Sequence, residues 1–228
     1  MALSSHVSGP IETKVRNLGA DIFDPTDLVA SSINSTLKAR SAAFIILAHA
    51  EIEFAIEEEC KQTANLLKNA IEPSLAMLAW GLTSTKGPPT YLGKKDLTPI
   101  ETIVEYYEKN VITPNHGIKE HNLHLLLGPL GVDLKALSTD ISVLDTFGGR
   151  RGALAHKSIA SWTTNDLPSA HITTVEQAGR SADQLITAIR AGHSRIPPAP
   201  SKSLFKLGKM RNYIALNLRH LASKVEVR

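Results

Sequence analysis

Residues 39–70 constrain the fold more than any other part of the sequence. This stretch contains no glycine or proline and is rich in alanine and glutamate, which favour helix. It predicts a single helix of roughly 48 Å, at about 1.5 Å per residue. We find no convincing segment elsewhere with the alternating polar and apolar pattern of a strand, so the sequence predicts an all-α fold.

Start and stop signals predict further helices on both sides. Asp24-Pro25-Thr26-Asp27 combines a capping residue with early negative charge, as at a helix start. Thr98, Pro99 and Glu101 have the pattern of a capping box. Together with the breakers between them, these signals predict helices over residues 24–38, 39–70, 74–82, 98–111, 119–127, 138–160, 173–193 and 204–228.

Two of these helices carry an apolar stripe at helical spacing, which indicates one buried face each. The stripe of the helix that ends at residue 193 consists of Val175, Ala178, Ala182, Leu185 and Ile189. The stripe of the C-terminal helix consists of Leu207, Met210, Ile214, Leu218, Leu221 and Val225.

The sequence divides into a body and a basic tail. We interpret residues 1–23 as an N-terminal extension, 24–195 as a helical domain, 196–203 as a proline-rich linker and 204–228 as a basic C-terminal helix. Residues 202–228 contain seven basic residues and one acidic residue. Such a tail is typical of a chain that binds a polyanion or an acidic partner surface, although a solvated amphipathic helix has the same composition.

Composition and cysteine usage suggest a cytoplasmic protein. The single cysteine, Cys60, excludes an internal disulfide and fits a reducing compartment. The longest apolar run, residues 42–48, is too short to cross a bilayer. Residues 1–10 lack the pattern of a signal peptide. We therefore expect no membrane association.

The segment from Asp145 to His156 is the part of the sequence most suggestive of chemistry. On a helix, His156 shares a face with Asp145, Gly149 and Gly152, so that face has few side chains. Glycines inside a helix are destabilising. They predict either close approach of a partner at this face or a helix that begins only after Gly149.

Arg150 and Arg151 precede the histidine but lie on other sides of the predicted helix. A site that uses both residue types is most natural if two copies of the helix face each other in a homodimer. Arginine can bind a phosphate and stabilise its transition-state charge, while histidine can transfer the proton of a ribose 2′-OH. These residues predict RNA cleavage without a metal or cofactor.

This segment resembles the Arg-x4-6-His signature of HEPN domains. Arg151 and His156 match the signature, and Arg150 fits its longer spacing. The long helix around residues 43–53 and the connector over residues 115–133 resemble the RiboL-PSP-type branch, and the likeness covers about residues 26–195. The resemblance implies an up-and-down helical bundle, a dimeric metal-independent ribonuclease, and a role in phage defence or as a toxin restrained by a partner.

One position departs from the pattern. Active members of the family often carry Asn, Asp or His directly after the arginine, whereas this chain has Gly152. The departure favours an alternative in which the domain binds RNA or a nucleotide without cleaving it. A second alternative is a regulatory or antitoxin-type subunit that docks a partner through its last helix.

Other residues are weaker candidates. Glu51 shares a face with Phe44 and Leu47, and a carboxylate on an apolar face needs a partner. Arg150 or Arg151 would serve, unless Glu51 lies at the rim of the apolar stripe and reaches water. His49, Glu53 and Glu57 form a separate polar face of the same helix. In the tail, we expect RNA contacts from Lys202, Lys206, Lys209 and Arg211.

Three histidines and the cysteine complete the candidates. His116, His121 and His124 lack a convincing set of acidic or cysteine co-ligands, so we interpret them as surface or capping residues and predict no metal site. Cys60 has no neighbouring signature of a nucleophile and is predicted to be a small buried residue.

Overall fold

The computed structural model describes residues 8–68, 77, 99–155 and 166–193, and these residues form helices and no strand. The predicted all-α fold is therefore confirmed. In this part of the chain, no helix combines the length and the apolar character that crossing a membrane requires.

Seven α-helices lie within the described ranges. They are α1 (Pro10–Ile22), α2 (Pro25–Leu28), α3 (Ser35–Lys68), α4 (Pro99–Tyr107), α5 (Glu120–Leu127), α6 (Ser138–Ala155) and α7 (Pro168–His193). A π-helical turn over Glu108–Ile112 extends α4, and a 3-10 turn over Gly128–Leu130 follows α5.

The predicted long helix is present as α3, which packs against α1 and against α4 through α7. It begins a few residues earlier than expected because the side chain of Asn34 accepts a hydrogen bond from the Leu37 backbone N–H at 2.8 Å. The helix predicted over residues 24–38 is wrong in extent, because α2 ends at Leu28 and irregular backbone leads to Asn34. Asn34 caps α3, so the break lies before residue 35 and not at residue 38.

The interior is formed by one cluster of apolar side chains that spans α1 and α3 through α7. Every member of the predicted stripe of α7, from Val175 to Ile189, is buried in it. Cys60 is buried as predicted. Phe44 of α3 packs edge-on against Phe23, with ring centroids 5.4 Å apart.

Residues 10–22, which we placed in an N-terminal extension, form α1 and pack against α3 and α7. Helix α1 was not predicted from the sequence because a buried charged residue occupies part of the inner face of this helix. The Glu12 carboxylate is almost completely buried and pairs with Arg16 and Arg180, each at 3.0 Å. A buried glutamate interrupts the apolar periodicity on which a sequence prediction of an inner face depends.

Pairs of contacts define how the three main helices run. Glu12 lies against Arg180, and Arg16 pairs with Glu176 at 2.7 Å, so α1 and α7 are antiparallel. Gly19 lies between Phe44 of α3 and Ile172 of α7. Further along, Glu59 of α3 bonds Arg190 of α7 at 2.7 Å. Helices α3 and α7 are therefore parallel to each other.

Candidate functional site

Helix α6 contains all three glycines of the motif segment, because it runs unbroken from Ser138 to Ala155. The alternative of a helix that starts after Gly149 is therefore wrong. A Cβ atom on Gly148 would touch Ile118 at 3.5 Å, whereas one on Gly149 or Gly152 would meet nothing within 4 Å. Gly148 thus packs against the preceding loop, and the other two glycines leave an open face on α6.

Asp145 lies at the start of that face and has a structural partner. Its carboxylate accepts a hydrogen bond from the Glu120 backbone N–H at 3.0 Å, at the first turn of α5. A negative charge at a helix N-terminus satisfies an unpaired donor and complements the helix dipole. Asp145 therefore orients α5 on α6, and the open part of the face begins beyond it.

The predicted site residues fall partly outside the described ranges. His156 follows the last described residue of α6, and the tail residues Lys202, Lys206, Lys209 and Arg211 lie beyond residue 193. Arg150 and Arg151 are described, and both are exposed on α6.

The two arginines face different neighbours. Arg150 lies 3.8 Å from the Asp166 carboxylate, just before α7 begins. Burial lowers the pKa of the nearby His171, the positive charge of Arg150 lowers it further, and Asp166 opposes both effects. Arg151 instead acts on Glu53 of α3. The two cations therefore do not form one common site in a single chain.

Glu51 does not pair with either arginine. Its carboxylate forms an ion pair with Lys14 of α1, and both side chains are partly exposed. The expectation that Glu51 holds Arg150 or Arg151 is therefore wrong, and the alternative of a carboxylate at the water-exposed rim fits this position. The pairing with an arginine does not form because Glu51 faces α1, where Lys14 is its partner.

The carboxylate near Arg151 belongs to Glu53, two residues later on α3. Nδ1 of His49 lies 3.4 Å from Oε2 of Glu53, one helical turn away. The His49 side chain is buried, and its ring lies near the Phe147 ring of α6, with centroids 6.0 Å apart. Phe147 and Arg151 are one turn apart on α6, so the pair His49–Glu53 faces the same edge of α6.

Burial and charge act in opposite directions on Glu53. Burial favours a raised pKa, but the hydrogen bond and charge of His49, the Gly117 backbone N–H and the charge of Arg151 together outweigh it. The net pKa of Glu53 is therefore lowered, and the carboxylate is ionised at neutral pH. Within the described ranges, no carboxylate lies within ion-pair distance of Arg151, and its side chain is exposed.

Glu57, one turn further along α3, completes this edge. Its Oε1 accepts a hydrogen bond from Nδ2 of Asn115 at 2.6 Å. The net pKa of Glu57 is raised, chiefly by burial. The Asn115 hydrogen bond lowers it, the negative charge of Glu53 raises it, and the charge of His116 lowers it. The two carboxylates thus have pKa values shifted in opposite directions, which is common where protons are held or transferred.

The loop before α5 holds Asn115 and Gly117 beside the carboxylates of α3. Gly117 has a φ of +125°, a region that favours glycine. Its carbonyl accepts hydrogen bonds from the side chains of Asn115 and Asn122, both at 3.2 Å. This turn fixes Asn115 beside Glu57 and the Gly117 N–H beside Glu53.

We call the set of His49, Glu53, Glu57, Asn115 and Arg151 the α3–α6 polar edge. Sequence reasoning placed the α3 members on one polar face, because they recur every fourth residue, but gave that face no function. The missing information was the packing of α6, which buries His49 and brings Arg151 to Glu53.

The described residues contain no group of side chains that could hold a metal ion. His116, His121 and His124 are exposed, as expected of surface residues, and His124 lies 3.8 Å from Glu120. Burial raises the pKa of the Cys60 thiol to about 12, with its contact to the Tyr107 hydroxyl acting against it. Such a thiol is a poor nucleophile at neutral pH.

No model of a known protein family matches the chain, and it has no significant match among curated proteins or solved structures.

Proposed function

We propose that the protein is a homodimeric, metal-independent endoribonuclease of HEPN type. Arg151 binds the scissile phosphate, and His156 acts as general acid or base. The observation that carries the proposal is the exposed guanidinium of Arg151 near the ionised Glu53. Arg151 lies one turn from Phe147 on α6, and the same helix leaves Gly149 and Gly152 uncovered.

The open glycine positions support close approach of a substrate backbone. A phosphodiester needs to come within about 3 Å of a guanidinium to form two hydrogen bonds. Side chains at Gly149 and Gly152 would stand between α6 and such a ligand. Without them, an RNA strand or the α6 helix of a second subunit can contact the helix backbone.

The reaction requires few protein groups because the substrate supplies its own nucleophile. The ribose 2′-OH loses a proton and attacks the adjacent phosphorus, and the bond from phosphorus to the 5′-oxygen breaks. The leaving oxygen takes up a proton. The products carry a 2′,3′-cyclic phosphate and a 5′-hydroxyl, and DNA, which lacks the 2′-OH, is not cleaved. Arg151 would stabilise the charge that develops on the phosphoryl oxygens.

Electrostatics also support the choice of Arg151 over Arg150 as the phosphate ligand. Arg150 lies within 4 Å of Asp166, so part of its charge is neutralised by a neighbour. Glu53 attracts Arg151 without an ion pair within 4 Å, so we expect it to orient the guanidinium and to leave its donors available. Glu53 is in this proposal a positioning residue.

The test is cleavage of total cellular RNA by the purified protein in the presence of EDTA. We expect fragments with 5′-hydroxyl ends, and a loss of roughly 100-fold or more in rate for both Arg151→Ala and His156→Ala. Arg150→Ala is the matched control on the same helix, and it should lose less activity. An all-deoxy strand of the same sequence should remain intact.

Two outcomes would contradict the proposal. Cleavage that is unchanged in both Arg151→Ala and His156→Ala would show that the activity belongs to another site or to a contaminant. Cleavage abolished by EDTA and restored by a divalent metal would show a different chemistry.

A binding module without catalysis is the second candidate, and Gly152 favours it. The position after the motif arginine lacks the polar side chain of active family members. Such a protein would retain RNA on a filter, in a salt-dependent manner, and yield no products. Arg151→Ala would then reduce affinity alone. A regulatory subunit would show neither RNA retention nor cleavage.

A further inference from the structure

The outer face of α3 exposes a continuous apolar stripe. Ile46, Leu47 and Phe54 are 41%, 48% and 61% exposed, and Ala43 and Ala50 are exposed between them. Their spacing of three, four and seven residues places them on one side of the helix. Single exposed apolar residues are ordinary on protein surfaces, whereas a contiguous stripe marks an interaction site. We call these five residues the α3 outer face.

The α3 outer face lies in acidic surroundings. Between Ser41 and Cys60 the sequence contains five glutamates and no lysine or arginine. Glu58 and Glu51, which pairs with Lys14 of α1, lie along one side of the face, and Glu53 and Glu57 lie along the other. A partner that fits must therefore be apolar along its centre and basic at its margins.

We propose that the C-terminal segment, residues 204–228, binds the α3 outer face of its own chain. Its sequence has the required chemistry: an apolar stripe from Leu207 to Val225, and seven basic residues against one acidic residue over 202–228. At helical spacing, Lys206 and Lys224 lie along one margin of the stripe and Arg211 lies along the other. They can approach the glutamates at the margins of the α3 face.

The end of α7 is close enough for this contact. Helix α7 is parallel to α3 and ends at His193, three residues beyond Arg190, which bonds Glu59. Phe54 precedes Glu59 by five residues, or about 7.5 Å along the helix axis. Residues 194–206 can span roughly 40 Å when extended. That length suffices to pass around α3, whose diameter with side chains is about 10 Å.

A tail from the same chain fits this face better than a second copy does. Two copies of the face would bring the glutamates at its margins together, and like charges would repel across the contact. A stripe of five side chains on one helix is also small for a stable dimer, which buries about 800 Å² per partner. A linked segment needs less area, because the linker raises its effective concentration.

The test measures the accessibility of the face in the full-length protein. Ala50→Cys puts a small thiol at its centre, and Asn17→Cys puts one on the exposed side of α1 as a reference. The buried Cys60 contributes a slow background that the wild type measures. We expect maleimide to label Ala50→Cys at least about tenfold more slowly than Asn17→Cys, since docking must open before the reaction.

Two tail variants identify the occupant. Ile214→Glu with Leu218→Glu places charges on the stripe and should bring labelling of Ala50→Cys to the rate of Asn17→Cys. The matched control, Asn212→Glu with Ser223→Glu, adds the same charge off the stripe and should leave the protection in place. Circular dichroism should show that both variants keep the helical fold.

Each contrary outcome overturns the proposal. Equal labelling of Ala50→Cys and Asn17→Cys in the intact protein means that nothing covers the face. Protection that persists in the stripe variant means that another occupant covers it. That occupant is a second copy if the protection falls on dilution. The inference does not depend on RNA cleavage, which none of these measurements reports.

Discussion

The Asp183 carboxylate of α7 occupies the space that a side chain at Gly9 would fill. A Cβ on Gly9 would lie 2.2 Å from Oδ2 of Asp183. From this position Asp183 accepts hydrogen bonds from the backbone N–H groups of Ile11 and Glu12 at 3.0 and 2.9 Å. Gly9 is the N-cap residue of α1 and has no side chain to cap it. A residue of the last described helix therefore caps the first.

We predict that Asp183→Ala lowers the free energy of unfolding by about 1–2 kcal/mol, the usual cost of a lost helix cap. Gly9→Ala should cost a similar amount because it displaces the carboxylate. The double variant should lose little more than either single one, since both break the same contact. Urea unfolding measures all three. Glu176→Gln, at an exposed ion pair, is the control and should cost less than about 1 kcal/mol.

The Tyr107 hydroxyl gives a second stability prediction. It donates a hydrogen bond to the Leu126 carbonyl and contacts Cys60 in the core. Tyr107→Phe keeps the ring but leaves that buried carbonyl without its donor, so we expect a loss of about 1–3 kcal/mol. Reaction of Cys60 with a thiol reagent should become faster as the core opens more often. An unchanged unfolding midpoint would contradict the contact.

Glu53 and Glu57 should show opposite pH dependence. The pKa of Glu53 is lowered in the fold, so its ionised form stabilises the protein above the ordinary carboxyl pKa of 4.5, and this contribution is lost as the pH falls below it. Glu53→Gln should therefore be destabilising at neutral pH and nearly neutral in strong acid. Loss of Glu53 should also slow RNA cleavage, without removing it, if it positions Arg151.

The pKa of Glu57 is raised in the fold, so ionisation costs stability as the pH rises above 4.5. Glu57→Gln keeps an oxygen for the Asn115 hydrogen bond and removes that cost. We expect it to be stabilising at neutral pH, with the gain disappearing in acid. Urea unfolding of both variants across this pH range provides the comparison. Parallel pH profiles for the two variants would contradict the opposite shifts.

Substitution of Gly149 should affect the stability of α6 and the function of the protein in opposite directions. Alanine there adds a Cβ that meets nothing within 4 Å, so Gly149→Ala should stabilise α6 by about 0.5–1 kcal/mol. If RNA or a second subunit approaches this face closely, the same substitution should reduce cleavage or dimer formation. Thermal unfolding and the RNA assay test the two effects on one sample. A destabilised variant would show that the position is not open.

Helical periodicity accounts for the part of the fold that the sequence predicts. The α7 stripe from Val175 to Ile189 is fully apolar, and each member is buried as its spacing requires. Helix α1 was missed because Glu12 lies where an apolar residue would be expected, and its partner Arg180 is 168 residues away. No local pattern contains that partner.

The candidate site was predictable in composition but not in pairing. The sequence places Arg151 on a glycine-rich helix, and in the structure Arg151 is exposed on α6 while Gly149 and Gly152 have open space beside them. For Glu51 it left open a pairing with an arginine or a position at the water-exposed rim, and Glu53 is the glutamate near Arg151. Two residues correspond to about 200° around a helix. Only the packing of α6 against α3 decides which of the two glutamates Arg151 faces.

The cap that Asp183 provides has a consequence for biosynthesis. Helix α1 is 13 residues long, a length at which a helix in isolation is marginal in water. It emerges from the ribosome before the other described helices, yet its cap and the Arg180 partner of Glu12 are translated more than 160 residues later. Until α7 has emerged, this segment lacks its cap and one of the two helices that it packs against, so chains halted before α7 should expose it to proteases and chaperones.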